Sequence, residues 1–126
     1  MRVILDTVTF IWAVRTPERL SRAAMSALRK GTAIREISVV SLTEIAVKRA
    51  RGKLTFTKAD AIAGVADLQL RVLPFTTDDA FRLFDLPTHH ADPFDRQIIV
   101  QALVEHVPVV TPDEAFSLYE GLKVVW

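Results

Sequence analysis

At 126 residues, 50% of them hydrophobic and 25% charged, the chain has the size of one compact unit and the composition for a substantial buried core. It contains no cysteine, which excludes disulfides and thiolate metal sites, and its net charge of +1 argues neither for nor against a nucleic-acid partner. The longest early apolar stretch, Phe10 to Val14, is far short of the roughly 20 residues of a membrane span, and Asp6 interrupts what would otherwise be a leader-like start, so a soluble cytoplasmic protein is expected.

In chain order, Val3-Ile4-Leu5 is a short continuous aliphatic run, the pattern of a strand buried on both faces. Thr16-Pro17-Glu18-Arg19 starts a helix with proline near its first position. Leu20, Ala23, Ala24, Ala27 and Leu28 form its apolar stripe, and Gly31 ends it. Ile37 to Val40 reads as a second strand. Ser41-Leu42-Thr43-Glu44 then has the Ser-x-x-Glu form of a capping box opening a helix toward Arg51. A helix from Thr57 or Lys58 to Leu70 carries Ala59, Ile62, Ala63, Ala66 and Leu70 on one side, and Val72-Leu73 follows as a third strand.

Thr77-Asp78-Asp79 begins a helix through Phe84, and Asp92-Pro93-Phe94-Asp95 begins the best-marked helix of the chain. A fourth strand spans Val107 to Val110, with Pro108 near its start because proline cannot donate to a ladder. Thr111-Pro112-Asp113-Glu114 opens a short helix, and Leu122 to Trp126 supplies a fifth strand. Strands alternating with helices imply right-handed crossovers, hence an α/β fold with a mainly parallel five-stranded sheet. Phe10 and Trp12 are expected in the core; Asp78, Asp79 and Asp85 read as helix-start or surface residues.

Asp6, Glu44 and Asp113 each lie just past an aliphatic strand run, and Asp95 lies at a helix start after a loop. Each helix-start acid has an ordinary explanation: Glu44 at N3 of a capping box, Asp92 as N-cap, Asp95 at N3 and Asp113 at N2, all favoured by the helix dipole. Asp6 does not fit that explanation, because an acid following a buried strand needs partners or a shifted pKa; Thr7 is a candidate partner. In open parallel sheets the ligand crevice lies beyond the carboxyl ends of the strands, so the four acids can converge there. Carboxylates forced together repel by roughly 4 kcal/mol for a pair 4 Å apart at an effective dielectric of 20. An all-oxygen site of that kind suits Mg²⁺ or Mn²⁺ and metal-assisted hydrolysis of a phosphodiester.

His89 and His90 beside Asp92 raise a zinc reading, but adjacent histidines give no i, i+4 ligand pair, and a loop role or a substrate contact is expected instead. Arg96 can pair with a carboxylate or meet a phosphate. Lys48, Arg49, Arg51 and Lys53 form a basic run that either contacts phosphates or simply ends a helix at Gly52.

Four blocks of the sequence together resemble the PIN-domain ribonucleases, in particular VapC-type toxins of bacterial and archaeal toxin–antitoxin pairs. They are Ile4-Leu5-Asp6-Thr7, Val40-Ser41-Leu42-Thr43-Glu44-Ile45-Ala46, His89-His90-Ala91-Asp92-Pro93-Phe94-Asp95-Arg96 and Val110-Thr111-Pro112-Asp113-Glu114-Ala115-Phe116. The resemblance extends from end to end of the chain and implies a three-layer α/β/α sandwich with an acidic pocket. It assigns catalysis to Asp6, Glu44, Asp95 and Asp113, and metal binding to Asp6, Asp95 and Asp113. Thr7, Asp92, Arg96, Thr111, Lys48 and Arg51 are the supporting or substrate-contacting candidates around them. It further implies Mg²⁺- or Mn²⁺-dependent RNA cleavage, homodimerisation and inhibition by a small DNA-binding, VapB-like antitoxin. Val8 and Thr43 stand where many relatives have His and Trp, which bears on substrate contacts more than on the acids. The rival readings are a non-catalytic interaction module of the same fold and an aspartyl-phosphate hydrolase. The latter lacks support, because Asp6-Thr7-Val8-Thr9 has no second acid two residues on.

Overall fold

The computed structural model describes residues 1–126. Strands β1 (Arg2–Leu5), β2 (Ile34–Ser38), β3 (Arg71–Leu73), β4 (Val109–Val110) and β5 (Val124–Val125) form one five-stranded, all-parallel sheet in the order β3-β2-β1-β4-β5. Helices α1 (Thr7–Arg15), α2 (Arg22–Arg29), α3 (Val39–Ala50), α4 (Lys58–Asp67), α5 (Thr77–Arg82) and α6 (Pro93–Glu105) connect them, with 3₁₀ turns at Pro17–Arg19, Leu83–Asp85 and Glu114–Leu118. No helix is long and apolar enough to cross a membrane.

The alternation of β1 explains the layering. Val3, Ile4 and Leu5 are all fully buried, yet successive side chains point to opposite faces. Ile4 packs with Ile98, Ile99 and Ala102 of α6 and with Val109 and Phe116. Leu5 packs on the other side with Phe10 of α1, Ile45 of α3 and Phe56, while Val3 meets Ala24 and Ala27 of α2. The sheet is therefore covered on both faces, the expected α/β/α sandwich. Burying each such side chain contributes about 1.5 to 3 kcal/mol, so the central strand is a large part of what holds the layers together.

One charge is buried within the sheet. Glu36 of β2 is fully buried and accepts from Arg2 Nε at 2.7 Å and from Arg71 Nε and Nη2 at 3.0 and 2.8 Å. Arg2 also reaches Glu105 at 3.3 Å, so the strands on either side of β2 neutralise it together.

Several boundaries differ from the sequence expectation. Residues Thr7–Arg15 form a helix that the pattern did not predict, because Asp6 caps it by accepting from the Thr9 amide at 2.9 Å. The second strand ends at Ser38, not Val40, since Ser38 pairs with the last residue of β3 and its hydroxyl then caps α3 by accepting from Val40 N at 3.0 Å. Ser41 is consequently a buried residue inside the helix, and Glu44 sits in its second turn instead of at N3. The helix expected from Thr16 is only a 3₁₀ turn, and Ser21 caps α2 five residues later. Asp113 is the N-cap of its 3₁₀ turn, two positions before the N2 place expected of it. The cap at Asp92 and the N3 position of Asp95 are as expected. Thr57 with Asp60, and Thr76 with Asp79, form capping boxes at α4 and α5, and Asp79 is buried where a surface residue was an expected alternative.

Gly64 shows how tightly α4 sits against α1. A β-carbon there would stand 2.7 Å from Val14 Cγ2 and 3.0 and 3.1 Å from the Phe10 ring. Gly64→Ala improves helix propensity by about 1 kcal/mol, but crowding of this kind costs about 1 to 3 kcal/mol. Since Val14 is β-branched and Phe10 fully buried, neither yields easily, and a lowered melting temperature is expected. A higher one would show that the helices can separate without loss.

Candidate active site

β1 lies between β2 and β4, so the chain leaves it toward one edge of the sheet and later returns on its other side. That reversal opens a crevice at the carboxyl ends of β1 and β4, where Leu5 pairs with Val110. Asp6 directly follows β1 and Thr111 directly follows β4.

Asp6 is 3% exposed, and its two oxygens accept from Thr9 N at 2.9 Å and from the Thr111 hydroxyl at 2.6 Å. Burial outweighs these donors, and with the charge of Glu44 added its pKa is raised to about 6. Thr111 serves two acids at once, because its hydroxyl oxygen also accepts from the Asp113 amide at 3.0 Å. Glu44, likewise buried, accepts from the Thr7 hydroxyl at 2.6 Å and pairs with Lys48 one turn along α3. Thr7 is thus a partner of Glu44 and Ser41, not of Asp6. Although burial opposes its charge, Lys48 is held above its usual range by the hydrogen bond to Glu44 and by the charges of Glu44, Asp92 and Asp95.

Asp95 is half-buried and its pKa is raised to about 7, first by burial and then by the charges of Asp92, Glu44, Asp6 and Asp113. No hydrogen bond offsets that repulsion. Asp92 spends its own side chain capping α6, accepting from Phe94 N at 2.8 Å and Asp95 N at 3.3 Å. Asp113 accepts from Ala115 N at 3.0 Å through one oxygen, and its other oxygen lies 3.0 Å from His90 Nε2. Ligand atoms of His90, Asp95 and Asp113 all lie within 4.8 Å of one another. Asp6 and Glu44 are not part of that trio; they act on it through their charge. Two carboxylates and an imidazole in mutual reach, with further negative charge behind them, fit a divalent cation.

Other sequence candidates have different tasks. Arg96 donates to the carbonyls of Pro87 and Leu86 at 2.9 and 3.2 Å, so it holds the preceding loop and pairs with no carboxylate. Arg51 is the exposed C-cap of α3. Gly52 follows at φ +71°, donating to Arg49 O, while Lys53 donates to Lys48 O, a Schellman ending that accounts for much of the basic run. Phe10 is core as expected. Trp12 is only half-buried, against Trp126 at 5.9 Å and under Arg19 at 5.1 Å. A cleft of about 950 Å³ lined by Leu42, Ile45, Leu54, Phe56 and Val65 lies between α3 and α4 and includes none of the four acids.

Sequence reasoning gave His90 only a loop role or a substrate contact and left Tyr119 out of the site. Neither stands in a periodic pattern, and the contact between them spans a loop and a 3₁₀ turn.

The PIN domain family model matches residues 3–122. No curated protein matches the chain. Among solved structures, the chain is similar to VapBC2 from Rickettsia felis bound to a DNA fragment from their promoter (TM-score 0.73, 19% identity, covering 98% of this chain and 97% of that one). It is similar to VapBC-1 from nontypeable Haemophilus influenzae (TM-score 0.70, 15% identity, covering 98% and 96%). It is also similar to the DNA-bound VapBC from Salmonella typhimurium (TM-score 0.67, 20% identity, covering 98% and 96%). These likenesses concern the fold. With the family model spanning both strand mouths and all four acids, the chain belongs to the PIN domain family.

Proposed function

We propose that the chain is a single-domain, cytoplasmic, metal-dependent endoribonuclease and the toxin of a VapBC-type toxin–antitoxin pair. The observation that carries this reading is Asp95, a carboxyl group raised to about 7 among four other acids with no hydrogen bond to relieve it. Such a group has a use where a cation replaces its proton. Family membership and the similarity to VapBC complexes support the assignment.

A divalent ion, Mg²⁺ or Mn²⁺, supplies activation of water and neutralisation of phosphodiester charge. Asp95 and Asp113 hold it, with Asp6 beside them. Glu44, fixed by Thr7 and Lys48, orients the attacking water. Both Asp6 oxygens already accept hydrogen bonds, which argues against an aspartyl nucleophile. A VapB-like antitoxin and a second copy of the chain are the proposed protein partners, and RNA is the substrate.

The test is cleavage of RNA by the antitoxin-free protein. Cleavage is expected with Mg²⁺ or Mn²⁺, stops in EDTA and returns when metal is restored. Cleavage that persists in EDTA would overturn the metal assignment, and intact RNA at every metal concentration would overturn the nuclease.

A further inference from the structure

His90 has the placement of a ligand. Its side chain is 7% exposed and its ring is gripped on two sides, stacked on Tyr119 at 5.5 Å and 20° and edge-on to Phe116 at 5.0 Å and 82°. Phe116 is fully buried and Tyr119 nearly so, and such packing leaves the imidazole little freedom to turn. Nδ1 lies 3.1 Å from the Tyr119 hydroxyl, and Nε2 faces Asp113 Oδ2 at 3.0 Å. Without an ion this contact is a hydrogen bond, and its length is also the separation of neighbouring ligands around an octahedral ion with bonds of about 2.1 Å.

A ligating histidine ordinarily donates its second ring N–H to a fixed acceptor, which sets the tautomer and aims the free lone pair. The Tyr119 oxygen stands where that acceptor belongs. With the proton on Nδ1, the Nε2 lone pair points toward the space shared with Asp95 and Asp113. His89 makes no such arrangement; it meets only the edge of Tyr119 at 4.8 Å.

We propose that His90 is a nitrogen ligand to the ion held by Asp95 and Asp113, that Tyr119 is its positioning residue, and that this nitrogen makes the site prefer Mn²⁺ to Mg²⁺. The inference rests on the reading of the acidic pocket as a metal site. Mg²⁺ is a hard ion that favours oxygen and retains its waters, whereas imidazole suits first-row transition ions. One nitrogen among oxygens therefore shifts selectivity without changing the fold.

The experiment is pulsed electron paramagnetic resonance on the full chain loaded with Mn²⁺ alone, together with displacement of that Mn²⁺ by Mg²⁺. The parent is expected to show the nitrogen modulation of a directly bound imidazole. His90→Asn is expected to lose that signature, bind Mn²⁺ about tenfold or more weakly, and yield it to correspondingly less Mg²⁺. Tyr119→Phe is expected to keep the modulation while weakening Mn²⁺ binding severalfold, a result that pure packing would not produce. Mn²⁺ bound by the parent without nitrogen modulation overturns the role of His90 and leaves the carboxylate site standing. No Mn²⁺ bound at all overturns both. The parent spectrum alone decides if the variants fail to fold.

Discussion

Asp95→Asn is expected to abolish RNA cleavage and, in the absence of metal, to make the protein more stable. The activity loss follows from removing a charge that holds the ion; loss of even an outer partner of a metal site costs 10 to about 100-fold, and a direct ligand should cost at least the upper figure. The stability gain has the opposite origin. Asp95 is pushed up to about 7 by burial and by Asp92, Glu44, Asp6 and Asp113, so above that pH the parent carries an ionised group that its surroundings disfavour. A tenfold change in proton affinity corresponds to about 1.4 kcal/mol; solvent reaching this half-buried group reduces the effect, to about 1 to 3 kcal/mol. The sign is fixed by linkage. A carboxyl raised above its unfolded value of 3.8 binds more protons in the folded state, so the metal-free parent loses stability as pH rises from about 4 to 7. Urea unfolding of parent and variant should therefore coincide near pH 4, separate as pH rises toward 7 and stay apart above it, the variant being the more stable. Equal stabilities across that range, or cleavage by the variant at the parental rate, would remove Asp95 from its assigned place.

Metal affinity is expected to rise with pH over the same interval. Asp6 at about 6 and Asp95 at about 7 are partly protonated at pH 6, and an ion must displace those protons. Where one proton leaves per ion bound, affinity changes up to about tenfold per pH unit, flattening once both groups are ionised. Titration calorimetry in two buffers of different ionisation enthalpy counts the protons directly. Release of about one proton per ion near pH 6.5, falling toward none at pH 8.5, is expected. A flat affinity between pH 5.5 and 8, with no proton released, would mean that the ion does not touch these acids.

The α/β class was legible because short aliphatic runs, as at β1 and β4, alternate with helix starts along the chain. The sheet order was less so, since β4 and β5 are only two residues each and their pairing is decided by partners far away in the chain. Helix α1 was missed for a physical reason. Val8, Phe10, Ile11, Trp12 and Val14 favour strands by propensity, and the helix depends on Asp6, a capping residue that the pattern presented only as a buried acid. Ser38 and Ser41 show the same ambiguity: both precede apolar helical sequence, and the register with β3 selects the first. The acids could be read because strand mouths are predictable places. His90 was noticed but not placed among the acids, because its position depends on the fit of a loop against Phe116 and Tyr119. Arg96 carried the right charge at the right address, yet backbone carbonyls claimed it.

A single hydroxyl joins two of the acids: Thr111 donates to the carboxylate of Asp6 and accepts from the amide of Asp113. The ends of two neighbouring strands are thus yoked, and any shift of the loop after β4 carries both acids with it. Evolution or engineering at this mouth cannot retune one acid while leaving the other as it was. Thr111 is where the spacing across the crevice is set.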